Sequence, residues 1–138
     1  MTPTKTLKHE HHVILMVLKA IEREADFMDE QKAVHADKLR QMVEFSRGFT
    51  DDCHHAKEEQ HLFPKMVERG VEQEQGPIGV MLHEHELGRG FVRQIDETVG
   101  PAAQGYAQAF EELKGALRSY ITLLRQHRAI EDARAVVA

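Results

Sequence analysis

The chain has no tryptophan, a single cysteine and four prolines in 138 residues. The lone Cys53 excludes an internal disulfide and leaves no thiolate cluster for structural zinc or iron–sulfur chemistry, which fits a reducing, cytoplasmic setting. No apolar run is long enough to cross a bilayer: Val13-Ile-Leu-Met-Val-Leu18 is followed at once by Lys19 and soon by Glu22. Without a small-residue cleavage site, this opening segment reads as neither signal peptide nor membrane span, and no membrane partner is expected. A basic stripe interleaved with aromatics is also missing, and the net charge is −5, so nucleic acid is not an expected partner. Aromatics are only 6% of the chain, so its core must be mostly aliphatic; 41% apolar residues are enough for one globular domain spanning residues 1–138.

Histidine is abundant instead, with ten residues, most of them beside carboxylates in four separate segments. The segments are His9-Glu10-His11-His12; His54-His55 with Glu58-Glu59 and His61; His83-Glu84-His85; and His127 with Glu131-Asp132. Residues four apart share a helix face, so His54/Glu58 and His127/Glu131 can each aim an imidazole and a carboxylate at one point. Two such pairs can bracket two metal ions.

Glycine and proline punctuate the chain into four long periodic stretches, and no strand pattern competes with them. The first carries Leu7, Ile14, Leu18, Ile21, Ala25 and Met28 at helical spacing, with His11 filling the gap. The second runs from an N-cap at Asp37 through Leu39, Met42, Phe49 and Cys53 to Gly70. The third begins at Pro77 and ends before Val99-Gly100-Pro101. The fourth starts near Tyr106 and carries Phe110, Leu113, Leu117, Ile121 and Leu124, with His127 next in the stripe. Short connections predict an all-α, up-down-up-down four-helix bundle.

Residues level across an antiparallel helix pair are equidistant from the turn between them. By that test His11 pairs with His54, Glu58 with His85, and His85 with His127, which brings all four segments to one height. His35 fails it. It lies 19 residues before His54, on the order of 28 Å away at ~1.5 Å per helical residue, and reads as a surface or capping residue.

Buried imidazoles and carboxylates at one level of a small core would each cost several kcal/mol in desolvation unless satisfied, and metal ions satisfy them. A nitrogen and oxygen donor set without thiolate suits iron, with zinc or manganese as alternatives. The candidate ligands are His11, His54, Glu58, His85, His127 and Glu131, with both glutamates placed to bridge. His61 is either an additional ligand or a donor to one. His55/Glu59 is taken as the more solvated pair on its helix, and His9, His12 and His83 are expected to face outward. Phe49, Leu62, Phe63 and Met81 are candidates to wall the site from water.

The stretch Phe49-Thr-Asp-Asp-Cys-His-His-Ala-Lys-Glu-Glu-Gln-His-Leu-Phe-Pro64 resembles the F-x-x-x-C-H-H-x-K-E-E-x-x-L-F-P block of the hemerythrin-like, HHE cation-binding family. Weaker echoes are Leu7-x-x-Glu-His-x-x-Ile14, the segment Gly76–Glu86 and Leu123-Leu-Arg-Gln-His-x-x-x-Glu-Asp132. The resemblance implies a non-haem di-iron centre with carboxylate bridges, held by the same six residues. The chain departs from the oxygen carriers at Met81 and Arg89, four residues either side of His85, where one would hold a second histidine of the third helix. The implied function is binding or sensing of dioxygen, peroxide or nitric oxide, or iron buffering, by a monomer or homodimer. Peroxide or oxygen redox turnover would suit such a site, but no acid–base pair for catalysis is legible. The competing readings are a histidine phosphotransfer bundle using an exposed histidine such as His55, and a purely structural helical module.

Overall fold

In the computed structural model the backbone is described for residues 3–55, 58–70 and 77–137, and the side chains for residues 9, 10, 12–50, 59, 60, 62–70 and 78–126. Helix α1 spans Pro3–Gln31 and α2 spans Ala36–Phe45; π-helical turns then cover Ser46–His55 (π1) and Glu58–Leu62 (π2), before α3, Phe63–Glu68. Helices α4, Pro77–Ala103, and α5, Ala107–Val137, complete the chain. The composite of α2, π1, π2 and α3 is the second of four main helices. Each main helix packs against the next, and α5 closes the ring on α1.

Chain punctuation follows the predicted sites closely. Gly70 takes φ +92° and ends α3, its N–H donating to the Val67 carbonyl at 3.0 Å, and Pro77 opens α4. Two boundaries differ from expectation. The N-cap of α2 is His35, so Asp37 lies inside the first turn. Helix α4 runs through Pro101 to Ala103, because proline is tolerated where a carbonyl near the helix end can go without that donor. The left-handed residue that stops it is Gly105, at φ +99°.

Ile14, Leu18, Ile21, Ala25 and Met28 of α1 are all buried, as their spacing predicts, and meet Val92, Ile95 and Val99 of α4 and Leu113, Leu117, Ile121 and Leu124 of α5. Across the α1–α5 seam, Arg125 pairs with Glu22, Arg118 with Asp26 and Asp29, and Lys114 with Asp29, at 2.7–3.1 Å. Partner numbers run in opposite directions along the two helices, as antiparallel neighbours require. A smaller apolar cluster, Leu62, Phe63, Met66, Ile78 and Met81, forms where α3 meets α4.

On the second helix the buried face is Leu39, Val43, Ser46 and Thr50. The expected stripe of Leu39, Met42 and Phe49 is thus displaced by one residue, with Met42 and Phe49 only half-buried. The buried set itself keeps α-helical spacings of four, three and four; apolar character misplaces it because two of its members, Ser46 and Thr50, are polar while the apolar Met42 and Phe49 sit one residue to the side, and the π turns begin only at Ser46. Pro64 contributes to this geometry: it has no N–H to offer four residues back, and its ring crowds the carbonyl there, which a widened turn relieves.

Candidate metal centre

The two apolar clusters are separated by a polar layer. Along α4, Met81 belongs to the smaller cluster and Val92 to the larger, and His85 lies between them, only 1% exposed. Its inward direction follows from the buried run Ile78, Met81, His85, Val92, Ile95, at spacings of three, four and seven. Phe63 stacks on it with ring centroids 5.9 Å apart. Ser46 and Thr50 of π1 are also buried, and with Tyr120 of the larger cluster they line a cavity beside His85.

On α1 the buried residue that continues the stripe beyond Ile14 is Glu10, only 6% exposed. Its position, four before Ile14, was the available signal, obscured by three neighbouring histidines. His9 and His12 are exposed, as is His83 on α4, all as expected.

Of the pair expected to be the more solvated on its helix, only the Glu59 side chain is described. It is half-buried, and its Oε1 lies 3.8 Å from His85 Nδ1, an ion-pair contact longer than a hydrogen bond. Its Oε2 is 3.6 Å from the Arg89 guanidinium, which also pairs with Glu86. Leu62, Phe63 and Met81 are buried in the apolar cluster on one side of His85.

His35, expected at the surface or a helix cap, occupies the N-cap position of α2 without a side-chain capping bond. Instead its Nδ1 lies 2.7 Å from Glu24 Oε2 and its ring stacks on Phe27 at 3.9 Å.

The side chains of His11, His54, His55, Glu58, His61, His127 and Glu131 lie outside the described residues. Of the six candidate ligands only His85 is therefore placed, and among the described residues no three His, Cys, Asp or Glu side chains converge on one point. What is placed suits a cation of the imidazole and carboxylate type: a buried imidazole at His85, a buried carboxylate at Glu10, and the Glu59 carboxylate 3.8 Å from the imidazole Nδ1.

A four-helix bundle with histidine and glutamate set into its core defines a class of helical metal-binding protein. The family is more specific: residues 2–136 match the hemerythrin HHE cation binding domain, and the chain belongs to that family. It is also 25% identical over 131 residues to the uncharacterized protein Rv1995 of Mycobacterium tuberculosis, and equally to the uncharacterized protein Mb2018 of Mycobacterium bovis. Each alignment covers 95% of this chain and 51% of the relative, so the chain spans about half the length of the curated relatives it matches. No solved structure matches it significantly. Among the described residues no helix is long and apolar enough to cross a membrane.

Proposed function

We propose that this cation-binding domain holds two iron ions, through His11, His54, Glu58, His85, His127 and Glu131, and binds or senses dioxygen, peroxide or nitric oxide in a cytoplasmic setting. The observation that carries the reading is the fully buried imidazole of His85 in a polar layer between two apolar clusters. A polar group in such a place needs polar partners, and Glu59 together with a bound cation can serve as them. The metal pair, when bound, supplies a redox-active site for a diatomic ligand or peroxide, or a reservoir of iron.

The chain's own residues set the conditions for that chemistry. With Nδ1 turned to Glu59, His85 offers Nε2 as its ligating atom. Phe63, Met81 and Leu62 cover one side of its surroundings with apolar groups, which restrains side reactions of a bound redox ligand there.

The test is metal content of protein purified without chelator or affinity tag, with absorption spectra before and after adding oxygen or peroxide. About two irons per chain are expected, with near-ultraviolet ligand-to-iron bands that respond to the additive. Glu58→Ala should bring iron well below that ratio. Iron absent even after anaerobic reconstitution, or zinc or manganese bound in its place, overturns the di-iron reading.

A further inference from the structure

A second feature of the polar layer is a cavity of about 230 Å3 between π1, α4 and α5. Its buried surface carries the hydroxyl residues Ser46, Thr50 and Tyr120 together with His85, and its exposed margin carries Arg47 and Arg93, with half-buried Arg89 beside them. Among the described lining residues there are three guanidiniums and no carboxylate, although acids outnumber bases by 23 to 18 in the chain. Arg47 is bound to Asp96 at 3.2 Å, and Arg89 to Glu59 and Glu86. Asp96 does not line the cavity, and a guanidinium has five N–H donors, so Arg47 has donors beyond those that Asp96 takes. Arg93 forms no ion pair among the described residues.

We propose that this cavity is a binding site for a small oxyanion, of the phosphate or carboxylate class, distinct from the metal ligands and adjoining His85. The wall is rich in donors and positive charge, and a concave site focuses that charge. Its size also selects: at ~30 Å3 per water, it holds a small ion with part of its hydration shell and falls below the ~300 Å3 at which sites for drug-sized ligands begin. Thr50, 2% exposed, supplies a hydroxyl from within the bundle, which makes the site more than a patch of surface arginines.

The test is calorimetric titration of the full chain as purified, in chloride-free buffer of fixed low ionic strength, with sodium sulfate as the tetrahedral probe and sodium formate as the planar one. Iron content is measured on the same samples, so a failure of the di-iron reading is seen separately from a failure of this one. Saturable binding of at least one probe is expected, weakened about tenfold by Arg93→Gln and by Thr50→Val, with Arg23→Gln on the exposed face of α1 as a neutral control. The stronger probe identifies the class of anion. No saturable heat from either probe, or equal affinity in wild type and both variants with circular dichroism unchanged, overturns the proposal.

Discussion

Glu58 and Glu59 are adjacent in sequence, yet their substitutions should fail in different ways. Glu59 faces His85 Nδ1 and Arg89, so it orients an imidazole. Carboxylates in that role tune metal affinity without defining the number of ions. Glu59→Gln should therefore keep the iron stoichiometry of wild type while weakening affinity about 10–100-fold in a chelator competition; loss of iron as complete as in Glu58→Ala would make Glu59 a ligand instead. Asp29 offers a residue-scale prediction about pH. Hydrogen bonds from Lys114 and Arg118 hold its carboxyl below the usual carboxylate range. A lowered folded pKa gives stability that is present above the unfolded value and is lost as pH falls through the folded one. Asp29→Asn should thus lower the melting temperature by a few degrees at most at neutral pH, as a solvent-screened pair allows. That difference from wild type should shrink below about pH 4; a gap that persists unchanged in acid would show that the charge of Asp29 is not its source.

At the scale of elements, the four main helices and their turns were legible because their signals are local. The 3-4 spacing of Ile14 to Met28, the glycine at 70 and the proline at 77 mark a face, a stop and a start without reference to the rest of the fold. The second helix was legible as a helix and misread as a face. Its buried residues beyond Val43 are the polar Ser46 and Thr50, which hydropathy reads as solvent-facing, and no composition signal announces a π turn. Ser46 and Thr50 were consequently missed, while His85, on the regular α4, is buried as its spacing predicts. Tyr120 escaped notice for another reason: its phenol extends an apolar stripe through Leu117, where an aromatic reads as core. Regular packing also carries its own prediction. Leu117 is 1% exposed where α5 meets its neighbours, so Leu117→Ala should cost about 2–5 kcal/mol in denaturant unfolding; a loss under 1 kcal/mol would mean that the cluster closes over the gap.

Taken as a whole molecule, the bundle interrupts its own core with the layer that holds Glu10, His85, Ser46 and Thr50. Apolar packing there would favour folding more, since replacing buried polar groups by hydrophobic ones of similar volume is often neutral or stabilising. The layer is thus better explained by binding than by stability, and the two can be separated. Ligand that binds only the folded chain stabilises it by about 2.7 kcal/mol at a hundred times its dissociation constant. For a chain of this length that corresponds to a rise of roughly 10 °C in melting temperature on adding ferrous iron anaerobically. His85→Leu should abolish that rise while leaving the metal-free melting temperature equal to or above that of metal-free wild type. If the variant instead melts well below wild type without metal, His85 contributes to folding in its own right, and the polar layer has a structural role that metal binding does not explain.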